Sequence, residues 1–340
     1  MTDVGLGDAM LRIVERVPDG MAGSRGTMAI HVIEPERSTL HGRFSSELAP
    51  VLTIDPGDTV HYRTLDAGWN LEPRRSTRPA DAPRKFPGRE PGRDDGHALC
   101  GPVAIRGAAP GMTLGVRIDD LRPGTWGWTV AGGWSSPLNE RLGVAQSDPT
   151  FLLWDLDPDA RTGRDQHGTT LALRPFMGVL GMPPAAPGWH STGPPRPTGG
   201  NLDCKELTAG STLYLPIAVP GALFSVGDGH ARQADGEVGG TAIECPMERA
   251  TLTFTLHDDL PLTMPRAQTP AGWLAFGFHE DLDEAMALAV ANMLDLLTTR
   301  HHLARAEALA LASVVVELRI TQVVNGVRGV HAILPHDALR

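Results

Sequence analysis

The 340-residue sequence predicts a mainly β fold, a sandwich or barrel of short strands that ends in an α+β segment. Three observations carry this. Three segments, "IDPGDTVHYRTLD" (54–66), "AAPGMTLGVRIDDLRP" (108–123) and "LTAGSTLYLPIAVPGA" (207–222), each place a glycine turn before a Thr-led run of alternating polarity. Glycine (39) and proline (29) are frequent enough to end many short strands, yet too few for a disordered chain. A helical period appears only near the C-terminus.

The elements follow in order. Residues 28–33 (MAIHVI) and 54–66 read as the first strands, the latter opened by the turn Pro56-Gly57-Asp58. Residues 70–96 are a long loop rich in Pro, Arg and Asp, and loops of this length are functional or solvated excursions. Strands follow at 101–106, 108–123 and 169–174. A Pro/Gly-rich loop at 181–200 runs into Asn201 and Asp203, as the first loop runs into His97. Residues 207–222 and 250–256 complete the alternating runs. In 281–297, Leu282, Ala285, Met286, Ala289, Val290, Met293, Leu294 and Leu297 recur at helical spacing, with Asp281, Asp283 and Glu284 at the dipole-favoured start. Arg300, His301 and His302 suit the helix end better than a metal. A second helix (about 304–314) and a strand (315–324) follow. These marks divide the chain into a β-rich domain over residues 1–180, a β-rich domain over 181–265 carrying the GGNLD and GDGH motifs, and an α+β segment over 266–340.

Composition narrows the function. A net charge of −10 argues against nucleic acid or anionic lipid as partner. Three scattered cysteines form neither a disulfide framework nor a C-x-x-C pair. The segment 1–20 lacks an apolar leader and no run is long enough to span a bilayer, so a cytoplasmic location is expected. The phosphate-loop, dinucleotide, nucleophile-elbow and H-E-x-x-H motifs are all absent.

What remains is concentrated in 224–244. Asp228 and His230 stand two apart, so on an extended segment they share a face and suit one metal ion. Asp203 offers a third ligand, and His41 or His97 a further one, in a mixed N/O set that fits Zn²⁺ with an open position. The competing reading makes Asp-Gly a hairpin turn. An EF-hand calcium loop does not match. Glu244 follows an apolar pair, and a carboxyl there has a raised pKa useful for proton transfer. Glu237 is the second candidate. Otherwise these glutamates are structural, paired with Lys205 or Arg249. A serine nucleophile (Ser211 or Ser225 with Lys205) and a Cys204 thiol are weaker alternatives.

These motifs together resemble the acetamidase/formamidase family. The matching pieces include "PGDTV" (56–60), the His97…Gly101-Pro102 segment, "LRPFMGVLG" (173–181), "GGNLD" (199–203), "GSTLYLPIAVPGALFSVGDGHARQADGEVGGTAIE" (210–244) and "LRITQVVNGVRGVHAILP" (318–335). The resemblance implies hydrolysis of a short aliphatic amide, formamide or acetamide, to carboxylate and ammonia. It also implies a jelly-roll-like sandwich with a smaller barrel-like region, a homo-oligomer, and a divalent metal, zinc or else calcium, among His41, His97, Asp203, Asp228 and His230. Glu244 and Glu237 are the catalytic candidates. Gly199, Gly200, Asn201 and Phe224 are the substrate-binding candidates, with the glycine backbones at 199–200 and 239–240 facing an oxyanion. The sequence departs from the family pattern in the 70–96 loop, in "VVVEL" (314–318) and at Cys204. The rivals are an amidase for a larger amide and a non-enzymatic β-sandwich with a structural ion.

Overall fold

The computed structural model describes residues 28–339, so the expectation of a missing leader at 1–20 lies outside them. The fold is mainly β. The three turn-led runs all enter one nine-stranded sheet. Its order is Ile30–Ile33, Thr59–Tyr62, Met247–His257, Thr113–Pro123, Thr212–Pro216, Arg266–Thr269, Gly272–His279, Arg328–Pro335 and Glu317–Gln322. The turns before the three runs place Gly57, Gly111 and Gly210 at φ 102°, 91° and 89°, a backbone that only glycine adopts cheaply.

A second sheet runs Pro195–Arg196, Gly199–Asn201, Phe176–Gly181, Phe224–His230, Leu99–Ile105 and Leu40–His41, with Leu52–Ile54 parallel to Leu99–Ile105. The two sheets share one apolar core. The Phe224 and Phe254 rings meet edge to face across it at 5.1 Å, and Val60, Val103, Leu114, Phe176 and Leu252 are fully buried. The expected small barrel is instead an open four-stranded antiparallel sheet, Trp126–Ala131, Thr150–Asp157, Thr162–Asp165 and Thr170–Ala172. The nine-stranded sheet draws strands from both sides of the boundaries at 180 and 265, so the two large sheets interleave distant stretches of the chain.

The helix Leu282–His301 starts at Asp281, whose carboxylate accepts from the backbone N–H of Asp283 and Glu284, and ends at His302 in the left-handed region. Ala285, Ala289, Met293, Leu294 and Leu297 are buried against the sheet, but Met286 is exposed and Asn292 takes a buried place. Asn292 is there because it ties helix to sheet: it accepts from Arg266 Nε and donates to the carbonyl of Pro265. Among the described residues no helix is long and apolar enough to cross a membrane.

Close approach of this helix depends on Gly277. A Cβ there would overlap the backbone of Ala285 and Ala289. Gly277→Ala should therefore cost about 1–3 kcal/mol by overpacking, read as a lower denaturant midpoint at constant slope. An unchanged midpoint would mean that the helix is not held against the sheet as described.

Candidate active site

The strand Phe224–His230 lies in the middle of the second sheet, between Phe176–Gly181 and Leu99–Ile105. The Asp-Gly pair is therefore strand, not hairpin turn. The glycines are needed because two backbones press on the strand: a Cβ on Gly227 would strike the Ala98 carbonyl, and one on Gly229 would meet Cys245 O and Met247 Cγ, each at 2.7 Å. As the two-residue spacing predicts, Asp228 and His230 face the same way, with His230 Nε2 3.2 Å from Asp228 Oδ1.

Three more carboxylates reach this imidazole. Glu244 arrives on a bridging segment paired with both Trp128 and His230, and its Oε2 lies 3.3 Å from His230 Nε2. Its other oxygen accepts from the Ala242 N–H. Asp203 follows the short strand Gly199–Asn201 and puts Oδ1 3.9 Å from His230 Nδ1. Glu237 sits in the turn 235–240, which is tied to the C-terminal strand by Gly236 N–H to Thr321 O and Val323 N–H to Gly236 O. The ligand atoms of Asp228, His230 and Glu244 lie within 4.8 Å of one another, as do those of Asp203, His230 and Glu237. All five side chains are buried. Asp203, Asp228 and Glu237 hold positive φ (47°, 60° and 45°), local strain of the kind found at functional sites.

Four carboxyls around one imidazole shift one another's proton affinity. Burial raises Glu244 to about 8, opposed by the nearby His230. Burial and then Asp203 raise Glu237 well above the usual carboxylate range. Burial also raises Asp203, to about 6, against the pull of His230. Burial alone would lower His230, but Glu244 and Asp228 together raise it well above its ordinary value. Asp228 is the exception: burial opposes ionisation, yet His230 and His97 hold it below the usual range.

The donor set fits a divalent cation. Asp203 Oδ1 and Glu244 Oε2 are buried without a hydrogen-bond donor. Gly178 faces Asp203 and Asp228, and a Cβ there would overlap Asp228 Oδ2 and come within 2.7 Å of Asp203 Oδ1. Gln233 sets the imidazole: its Nε2 donates to the Asp203 carbonyl at 2.7 Å, leaving Oε1 to accept from His230 Nδ1 at 3.0 Å. Nε2 therefore faces Asp228 and Glu244, as in metal sites where a second hydrogen bond fixes the ligand tautomer. One nitrogen with carboxylate oxygens suits zinc, whereas calcium takes six to eight oxygens.

The cluster opens into a cavity of about 400 Å³ lined by Trp69, Lys85, Arg89, His97, Trp128, Thr192, Asn201, Asp203, Asp228, Glu237, Glu244 and Asn325, among others. Of the expected residues, Asp203, Asp228, His230, Glu237 and Glu244 come together, and Asn201 lines the cavity. His97 lines it too, but Nδ1 is 2.8 Å from Thr192 Oγ1 and the ring belongs to neither metal group. His41 stands apart, with both ring nitrogens bonded, to Ser225 Oγ and the Arg43 carbonyl. Phe224 is core, and Gly199 and Gly200 are strand residues outside the cavity wall. Gly240 lines the wall, but its N–H is spent on the Glu237 carbonyl. Lys205 pairs with Asp235 and Arg249 with Asp120, not with the two glutamates. Burial pushes the Cys204 thiol far up, which leaves it inert. Sequence reasoning missed Gly178, Gln233 and Asn325, whose Nδ2 donates to Asp203 Oδ2 at 2.6 Å. The available signals were "FMGVLG" and "VVNG", both inside motifs already quoted.

Burial lowers the His41 pKa to about 4, against the Arg43 carbonyl that favours its proton. His331 is lowered to about 4 by burial as well. An unfolded histidine takes its proton near pH 6.5. Between those values the unfolded chain binds more protons, so stability is full above about 6.5 and falls as pH drops toward 4. Each histidine accounts for on the order of 3 kcal/mol of that loss. His41→Gln should make the fall between pH 6.5 and 4.5 visibly shallower in denaturant titrations. An identical slope would show that His41 is not held neutral.

Comparison with known proteins fits this geometry. The family model described as "Acetamidase/Formamidase family" matches residues 30–187 and 185–339. An acetamidase of Mycolicibacterium smegmatis is 29% identical over 203 residues, 42% of this chain and 49% of that protein. A formamidase of Methylophilus methylotrophus is 25% identical over 256 residues, 58% of this chain and 59% of that one. The chain thus spans about half to three fifths of the length of these relatives. The crystal structure of an acetamidase from Bacillus halodurans superposes with a TM-score of 0.78 at 27% identity, covering 89% of this chain and 97% of the other. A Yersinia enterocolitica acetamidase gives a TM-score of 0.78 at 25% identity, covering 92% and 94%. With the family match running through nearly all of the described residues and the fold matching as well, the chain belongs to the acetamidase/formamidase family.

Proposed function

We propose that this protein hydrolyses a carboxylic amide, R–CO–NH2 + H2O → R–COO⁻ + NH4⁺, at the buried carboxylate–imidazole cluster. The observation that carries the reading is the convergence of Asp203, Asp228, Glu237 and Glu244 around His230 at the wall of one cavity, with burial raising the proton affinity of both glutamates. A binding module with a structural ion has no need of carboxyls tuned in this way.

Asp228, His230 and Glu244 are the residues that would hold a divalent ion, zinc by donor type. When bound, such an ion supplies Lewis acidity toward a carbonyl or a water. The chain's own groups do the rest. Asp203 is close enough to raise the proton affinity of Glu237, while a hydrogen bond with Glu237 lowers that of Asp203. Glu237, holding its proton, passes it to the departing nitrogen, because an amide leaves poorly as an anion, and the proton of the attacking water restores it. Asn201 Oδ1 is buried, has no donor, and lines the cavity, so it accepts from the substrate NH2 and orients it. Trp69 and Trp128 wall the cavity, and Trp128 is fixed by its Nε1–H to Asp66 at 2.7 Å.

Ammonia release from formamide, acetamide and larger amides, read beside elemental analysis, tests this. Glu237→Gln should lower kcat by about 10²–10⁴ while leaving the ion in place, the usual scale of a lost proton-transfer group. Asp228→Asn should lose ion and activity together. Full activity in Glu237→Gln, or unchanged ion content in Asp228→Asn, would overturn the corresponding assignment.

A further inference from the structure

The loop 70–96 is largely exposed but structured. It folds back on its own start: Asn70 bridges to Lys85, the Leu71 N–H meets the Arg84 carbonyl, and the Phe86 N–H meets the Trp69 carbonyl at 2.8 Å. The Phe86 and Trp69 rings pack 6.3 Å apart. The loop thereby brings Lys85 and Arg89 into the wall of the same cavity that holds the carboxylate cluster.

Neither cation forms a salt bridge among the described residues, although Asp66 acts on Lys85, and Arg89 on Asp95, at longer range. The Arg89 guanidinium lies over the Trp69 ring at 5.1 Å and gives one N–H to the neutral Asp94 carbonyl, while its Nε is buried with no partner. Nearby acids are already engaged. The Asp94 carboxylate binds Arg37 at 2.6 Å, and Asp95, which also lines the cavity, binds Arg43 at 3.0 Å. Asp66 is taken by Asn70 and Trp128. Partial burial, and then the Arg89 charge, make the Lys85 proton easier to lose. The cavity therefore has an acidic region that does the chemistry and a separate cationic region contributed by the loop. It is also far roomier than formamide or acetamide requires, at about 400 Å³.

Building on the hydrolase reading, we infer that Lys85 and Arg89 form a subsite for an anionic group on the substrate, so that the preferred amide carries a carboxylate on its acyl chain. An unpaired guanidinium and an ammonium in one wall recognise an oxyanion by charge-assisted hydrogen bonds. They also offset the repulsion that an anionic substrate meets from Asp203, Asp228, Glu237 and Glu244. Polar groups placed to pair with such a ligand discriminate strongly against the analogue that lacks it.

The test compares kcat/KM for succinamate, the monoamide of a four-carbon diacid, with that for its uncharged methyl ester. The intact protein should favour the anion by at least tenfold. Lys85→Ala and Arg89→Ala should bring the ratio close to one through KM, and Lys85→Glu/Arg89→Glu should invert it. Succinate binding, measured by calorimetry, provides a readout that needs no turnover and should weaken at least tenfold in the same variants. A ratio near one in the intact protein, with acetamide still hydrolysed, overturns the subsite and leaves the hydrolase reading standing. Absent amide hydrolysis with succinate binding lost in the variants overturns the hydrolase reading and leaves the anion subsite. Succinate binding indifferent to both substitutions overturns the subsite in either case.

Discussion

The site depends on how a protein interior tolerates four carboxyl groups around one imidazole. Two ionised carboxylates about 4 Å apart repel by roughly 4 kcal/mol even at an effective dielectric near 20. A domain's whole stability is about 5–15 kcal/mol. The fold cannot hold the cluster fully ionised with nothing to balance it. Protons or a cation must be retained, and the directions of the shifts express this: burial raises the proton affinity of Glu237, Glu244 and Asp203, the neighbouring carboxylates raise that of His230, and only Asp228 is pushed toward ionisation. A group of carboxyls that resists ionisation at neutral pH is equally a group that can pass protons to a substrate.

The density of the cluster also dictates the backbone around it. Gly178 is glycine because two carboxylates occupy the place of its Cβ, and Gly227 and Gly229 because neighbouring backbones do. Three of the four acids adopt a left-handed backbone that their side chains would not choose alone. Such strain persists only where the surroundings over-determine it. Here the surroundings are two packed sheets on one core, a loop pinned to Thr321 and Val323, and Asn325 donating to Asp203. The C-terminal strands therefore belong to the site although they lie about a hundred residues beyond its first acid.

Much of this was legible in the sequence, and what was not legible has a common cause. The alternating runs and their glycine turns mark real strands, because period and turn chemistry are local properties. Asp228 and His230 were paired correctly, since a two-residue spacing in a strand fixes their shared face. Asp203, Glu237 and Glu244 were candidates from their own chemistry and setting, and the motif resemblance gathered them into one amidase site. His41 lies outside the cluster, its Nε2 bonded to Ser225 on the same strand that carries Asp228. Phe224 lies outside the cavity wall: its side chain enters the core while Asp228 lines the cavity. Facing is set by strand pairing and by the irregular register between Phe224 and Val226, which no local pattern reports. Gln233 and Asn325 were missed because neutral amides acquire a role only from what they touch.

Gln233 shows how much one such contact decides. Its amide is oriented by a backbone carbonyl, that of Asp203, so the orientation is fixed by the fold and not by the charge state of the cluster. The Oε1 that results can only accept, which obliges His230 Nδ1 to donate. Nε2 is left facing Asp228 and Glu244 whether it carries a proton or offers its lone pair. An ion held by Asp228, His230 and Glu244 would therefore meet Nε2 without rotation of the imidazole. A site arranged in advance of its ligand gives up little binding energy to reorganisation. The crowding that makes the cluster costly to fold is what makes it ready.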